Sequence, residues 1–446
     1  FPSGDPTLDL EASRLLAMLA DDDVETVKKT AKFLTETSHP TDDVHYLIVL
    51  SRLTGAWPDG LAAQAAGAML GLDRKLEGHD QRTKLTWGPR LAELTDLLVR
   101  RQPRLAGELL ARADFAAPGH VAIAGALDSE SRGRAAALFL AALRKDPTFP
   151  WSEPLIELIA QLPAEDHLPE LRAQWSNFGL RDAILLRLGK RPVAEDRAKF
   201  LTGIESPSTP VVRLSLEALA ALGPGLSPAD TVPLLRLLRR LVLDPKQQAQ
   251  RTQVAALVTR SRIQECTDPV ELKRAYQPVF DEFLTKNPGL RAELEGGGED
   301  PSAILKDVPW DKGDAARGEA IFRARGCQTC HAVQGALGPN LAGAASRFSR
   351  EDLFEAIVNP SKDVAPPYRT TAFQLKDGQV HTGIIAFESA DGFIVQTGAT
   401  TTVRIDTADV AAIRPSLTSL MPEGLLRELR PGDLADLYAH LRSMGR

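Results

Sequence analysis

From Leu8 to about Leu284, apolar residues recur every three or four positions, the spacing that lines one face of an α-helix. Val24, Val27, Ala31 and Leu34 form one such stripe, and Leu91, Leu94, Leu97 and Leu98 another. Pro, Gly and Asp interrupt the pattern, predicting helices of roughly 10 to 18 residues joined by short breaks and stacked as antiparallel pairs. A Gly- and Pro-bearing stretch over 286–313, with Gly296-Gly-Gly298, reads as a linker. Helical spacing then resumes. Asp314 is placed to cap a helix running to Phe322, with Gly318 and Phe322 on one face. Ser349 opens another helix, with Leu353, Phe354, Ile357 and Val358 apolar, and a last one starts near Pro431 with Leu434, Leu437, Tyr438 and Leu441. Between them the period changes to two over 369–414. Five strands are predicted: Thr370 to Leu375, Val380 to Glu388, Phe393 to Thr397, Thr402 to Ile405 and Val410 to Ile413, with turns at Asp377-Gly378, Asp391-Gly392 and Gly398.

The helix from Pro210 to Gly223 resembles the second helix of a HEAT repeat, and the stretch from Asp22 to Leu34 does so more loosely, without a constant period. Composition fits a folded globular chain, with 43% apolar and 25% charged residues. A net charge of −6 and basic residues that alternate with leucines, as from Arg236 to Arg240, give no footprint for nucleic acid. No apolar run reaches the roughly 20 residues of a membrane span. His39, His45, His79, His120 and His167 are scattered without metal-ligand spacing, and Cys266 reads as an inert buried thiol.

The chemistry is concentrated in Cys327-Gln328-Thr329-Cys330-His331, which places two thiols and an imidazole within one turn. That spacing is the attachment signature of c-type haem: two thioethers to the porphyrin and an axial nitrogen to its iron. Zinc is the first alternative, but Cys266 is the only other cysteine and offers no matched second pair. A thioredoxin-like redox pair is the second, and it calls for a strand before the motif and a long helix after it. Downstream, Gly338-Pro339-Asn340-Leu341 breaks the helix and turns the backbone, bringing the Pro339 carbonyl where it can accept the Nδ1 proton of His331.

A Gly- and Phe-bearing helix, the pentapeptide, the Gly-Pro-Asn-Leu turn and an apolar last helix together resemble the cytochrome c fold. The resemblance implies that Gly318 and Phe322 meet Leu437 and Tyr438, and that a methionine on the loop before the last helix is the sixth iron ligand. Met421, in Ser419-Leu-Met-Pro-Glu-Gly424, holds that place. It lies far beyond His331 until 369–414 are set aside as an insertion. His381 and His440, the other candidate ligands, read as solvated residues. With the insertion and the Met421 loop, the stretch from near Lys306 to the end is similar to a haem-binding domain of Planctomycetes and Verrucomicrobia type, in which helical repeats commonly precede the haem.

The chain is thus expected to be mainly α: a HEAT-like α-solenoid (1–285), the linker, and a cytochrome c domain (314–446) carrying an SH3-like or Sm-like β-barrel insertion (369–414). The resemblance implies one covalently bound haem c with its iron held by His331 and Met421. Leu341, Phe348, Leu353 and Leu425 would shield it. An electron-transfer module serving a redox partner such as a dehydrogenase is the leading expectation; a peroxidase-like haem enzyme with a displaceable Met421 is the alternative. Haem attachment of this type takes place outside the bacterial cytoplasm, which implies a periplasmic protein. Phe1-Pro-Ser-Gly carries no export signal, so the sequence reads as a processed or truncated chain.

Overall fold

A computed structural model of the chain describes residues 1–446 apart from 78–86, 207, 243–246, 260–262, 296–303, 332–336, 377–379, 399–401, 417–418, 428 and 446. His79, the Gly296–Gly298 run and the Asp377-Gly378 turn lie outside the described residues. The chain divides into two compact units, Phe1–Pro169 and Glu170–Arg446. The division falls at a proline inside the helix Ala164–Ala173, where the missing N–H removes an intrahelical hydrogen bond.

The first unit is helical: α1 (Pro6–Met18), α2 (Val24–Ala31), α3 (Pro40–Arg52), α4 (Leu61–Lys75), α5 (Trp87–Arg101), α6 (Arg104–Ala111), α7 (Val121–Gly125), α8 (Ser129–Lys145), α9 (Glu153–Ile159) and the start of α10 (Ala164–Ala173). Aspartates begin several of them: Asp5, Asp23 and Asp128 accept the orphan amides of α1, α2 and α8. Packing follows alternate helices, α3 on α5 on α7 on α9 in one row and α4 on α6 on α8 in another. Three of the described histidines here make hydrogen bonds within the helical packing. His45 bonds Ser13 at 2.9 Å, His120 is buried between the carbonyls of Phe115 and Leu70, and His167 bonds the Pro163 carbonyl.

The second unit continues with α11 (Arg181–Leu188), α12 (Arg197–Gly203), α13 (Thr209–Leu222), α14 (Pro228–Leu241), α15 (Gln248–Val258), α16 (Pro269–Lys286) and α17 (Arg291–Glu295). Alternate packing recurs, α11 on α13 on α15 and α12 on α14 on α17. The predicted helix from Pro210 is α13, and Gly223 ends it at a φ of 67°. Cys266 departs from expectation: it is half-buried, with its thiol directed at the Asp268 carbonyl.

The same unit contains α18 (Ala315–Ala324), α19 (Cys327–Cys330), α20 (Ala344–Arg347), α21 (Arg350–Val358) and α22 (Pro431–Ser443). Asp314 and Ser349 cap α18 and α21 as their positions predict. One core holds these elements: Val308, Phe322, Phe354, Val358, Leu426, Leu434, Leu437 and Leu441 are buried together. Trp310 joins it with its ring 5.3 Å from Phe354 and 5.6 Å from Tyr438, so the chain is already packed before α18 begins.

Helices α18 and α22 cross at glycine. A Cβ on Gly318 would lie 2.0 Å from the Asp436 carbonyl oxygen and 2.8 Å from the His440 Cβ, so a side chain there would force the helices apart. Phe322 and Leu437 share one core with Tyr438 packed against it, as the resemblance implies, but the contacts of the glycine itself are different. Gly318 faces Asp436 and His440, while Tyr438 turns to Trp310 and Phe354. His440 is accordingly not a solvated residue: its ring stands 5.1 Å from Phe322, and burial lowers its pKa.

Asp436 is 5% exposed within this crossing. It accepts from the Asp314 amide at 2.7 Å and from the Arg317 guanidinium at 2.7 and 2.8 Å. The Arg317 hydrogen bond holds its carboxyl below the usual carboxylate range, against the opposing effect of burial. Asp436→Ala, which leaves those donors without their acceptor, is expected to lower stability at neutral pH by about 2 kcal/mol in urea unfolding. Because the folded pKa is depressed, this contribution is complete above about pH 4 and disappears as acid protonates the folded carboxylate. The gap between variant and parent should therefore narrow below that pH; a constant gap would contradict the ionic account.

The alternating segment forms β1 (Thr371–Leu375), β2 (Val380–Glu388), β3 (Gly392–Gln396), β4 (Thr402–Asp406) and β5 (Val410–Pro415). They make one antiparallel sheet in the order β4-β3-β2-β1-β5. Strand β2 pairs with β1 over Val380–Gly383 and with β3 over Ile384–Glu388, and a bulge between Ile385 and Phe387 interrupts the second ladder; such an insertion bends a strand. Phe373, Phe393, Val395 and Ile405 form the sheet's own core. Among the described residues no ladder joins β4 to β5, so what the structure has is a five-stranded antiparallel sheet. His381 sits half-buried in β2, opposite Phe373.

Candidate haem site

Helix α18 ends at Arg325, and Gly326, at a φ of 73°, swings the chain into the short helix α19 that carries both thiols. The His331 amide donates to the Cys327 carbonyl at 2.9 Å and the Gly338 amide to the Cys330 carbonyl at 3.0 Å, closing the turn on itself. Burial pushes the Cys327 thiol up to about 11. A redox-active pair depresses that value instead, and the element before the motif is a helix where a thioredoxin-like unit has a strand. Among the described residues no three His, Cys, Asp or Glu side chains gather in a group that could hold a metal ion. The three cysteines form no disulfide.

His331 is oriented as predicted. Its Nδ1–H donates to the Pro339 carbonyl at 2.8 Å, which fixes the tautomer and leaves the Nε2 lone pair for a metal. Burial lowers its pKa and so favours the neutral ring that a metal needs, while the Pro339 bond opposes this in part. Gly338 crosses directly over the imidazole: a Cβ there would meet ring atoms at 2.5 to 3.1 Å. Only glycine lets the chain pass there, a requirement missed when the segment is read merely as a helix breaker. Asn340 stabilises the rest of the turn by accepting the Ala342 amide at 2.8 Å.

The residues expected to shield the haem divide. Leu425 is buried, Leu341 and Leu353 are half-buried, and Phe348 stands 55% exposed. Met421 is half-buried on a loop held by two hydrogen bonds, its own amide to Ser419 Oγ and the Ser419 amide to Ser361 Oγ, both at 3.1 Å. Ser361 thereby links the loop to the Asn359-Pro360 exit of α21, a function its position in the sequence does not reveal.

A family model for cytochrome c matches residues 315–414.

The match runs from the start of α18 through the haem turn and into β5. It supports a c-type cytochrome domain in this part of the chain, and the cofactor that goes with the family is covalently attached haem c with its iron. No curated protein matches the chain. The residues present fit the group: two thiols one turn apart, an imidazole with a fixed tautomer, and a glycine passage that keeps the ring face uncrowded. Cytochrome c domains are typically extracytoplasmic, and no helix of the described residues is long and apolar enough to cross a membrane.

Proposed function

We propose that this chain is an electron-transfer module: a periplasmic c-type cytochrome whose single haem, bound by His331 and Met421, accepts electrons from a partner or upstream dehydrogenase. The observation that carries this reading is the 2.8 Å bond from His331 Nδ1 to the Pro339 carbonyl beside the paired thiols. It prepares the imidazole as a permanent ligand. When bound, the haem supplies a one-electron couple at iron. Cys327 and Cys330 would tether it, Gly338 leaves the imidazole face clear, and Met421 would supply the second protein ligand, in keeping with its Ser361-anchored loop. A thioether ligand and apolar cover from Leu341 and Leu425 favour the reduced, less charged state and so raise the potential.

We assign the preceding helices to a HEAT-like solenoid, a reading supported by the alternate packing of α3, α5, α7 and α9 against α4, α6 and α8. Its place in the family of Planctomycetes and Verrucomicrobia type is proposed on the insertion and the Met421 loop. The sheet β1–β5 is proposed as a barrel-like cover for the haem crevice. Redox titration of the full holoprotein, with carbon monoxide added to the reduced form, tests the reading. A positive midpoint and slow ligand binding are expected; a strongly negative midpoint with rapid binding would instead favour the peroxidase-like alternative.

A further inference from the structure

Helices outside the cytochrome c match touch the haem domain on both sides of its ligand-bearing chain. Before Cys327, the Arg325 guanidinium lies 5.0 Å over the Phe178 ring, and a Cβ on Gly326 would come within 2.9 Å of the Gly179 amide nitrogen. Phe178 is 9% exposed and also lies under Arg181, so its position is fixed from within the helical region. After Met421, the chain buries Leu425 and Leu426 and then pairs Arg427 Nη1 with Glu205 Oε2 at 3.1 Å.

Glu205 is itself held in place. Its side chain is 20% exposed and lies 3.7 Å from Arg236 of α14. Its neighbour Ser206 donates to Asp182 Oδ2 of α11 at 2.8 Å and accepts the Ser208 amide at 3.0 Å. The bend between α12 and α13 is thus tied to α11 on one side and α14 on the other, and it presents a fixed carboxylate to the loop downstream of Met421. Strand β2 also packs on α13. A mobile surface ion pair contributes little; this one joins a braced carboxylate to a segment anchored by two buried leucines.

We propose that the helices between Trp175 and Leu241 form a positioning seat for the iron's ligand loops. Glu205 acts on the Met421 loop through Arg427, and Phe178 acts on the haem-attachment turn through Arg325. Residues outside the cytochrome fold thereby set the potential and the hold on the sixth ligand. The Glu205 arm rests on Met421 ligation. Ordinary domain packing would make these contacts matter for stability alone.

The test uses the full-length holoprotein with Glu205→Arg, Arg427→Glu and the charge-swapped double variant. Three quantities are read: midpoint potential, the methionine-to-iron charge-transfer absorption, and the rate of carbon monoxide binding to the reduced form. Each single variant should lower the potential, weaken the absorption and accelerate carbon monoxide binding several-fold, and the double variant should recover all three. Glu205→Gln, which removes the charge without adding repulsion, should move them the same way by less and serves if the reversal fails to fold. A parent with the methionine absorption, whose variants change only in unfolding midpoint, would overturn the seat and leave Met421 ligation standing. A parent without that absorption would overturn Met421 ligation and the Glu205 arm with it.

Discussion

Replacing Cys327 and Cys330 together by alanine is expected to abolish covalent haem, leaving a polypeptide whose denatured mass and spectrum carry no porphyrin. The effect should be all-or-none because the two thiols are the only ones within the turn, and Cys266 belongs to the segment preceding α16. Single replacements should leave one thioether and a reduced yield of attached haem. The folded domain should weaken too. Cys327 packs against the core of Phe322, Phe354 and Leu437, so truncating a half-buried thiol there removes contacts as well as the tether. Haem remaining attached in the double variant would show that the chemistry resides elsewhere in the chain.

Met421→Ala is the second change with a large expected effect, because under the proposed ligation it removes an iron ligand without touching attachment. The thioether is the softest donor in this region, and no other methionine lies on an anchored loop between α21 and α22. Its loss should vacate the sixth position, convert the iron to a form that binds carbon monoxide and cyanide rapidly, and lower the midpoint, since methionine ligation raises it. Haem content should stay at the parent level. If the variant keeps the parent's spectrum and potential, Met421 only packs near the crevice. His381 is then a poor substitute because it is bound into β2 opposite Phe373, and His440 is committed to Phe322 across the helix crossing.

Much of this architecture is legible in the sequence where the governing chemistry is local. Covalent haem attachment needs its thiols and imidazole within one turn, so the pentapeptide stands out unaided. Period-two alternation and Gly-bearing turns place the five strands within a residue or two of their observed ends, as with β2 at Val380–Glu388. The caps at Asp314 and Ser349 are equally local. The bond from His331 to Pro339 follows from a proline turn placed just after the motif.

What the sequence conceals depends on contacts between distant residues. Asp436 lies off the Leu434, Leu437, Tyr438 and Leu441 stripe and reads as an outward-facing polar residue, but it is buried where Arg317 and the Asp314 amide converge on it. His440 reads as solvated because the last turn is charged, but beside the glycine crossing this histidine faces Phe322. Trp310 lies in a stretch that reads as linker, and its ring packs between Phe354 and Tyr438. Glu205 and Arg427 lie in separate elements, and no spacing rule connects them. Each case is a tertiary contact overriding a local cue.

The proposed electron relay depends on one haem covalently bound through the turn at Cys327–Cys330. Intact-mass measurement of the natively produced, denatured full chain tests it most directly. The expected result is the polypeptide mass increased by a single haem, located by digestion to the peptide containing Cys327, Cys330 and His331. The bare polypeptide mass would contradict it.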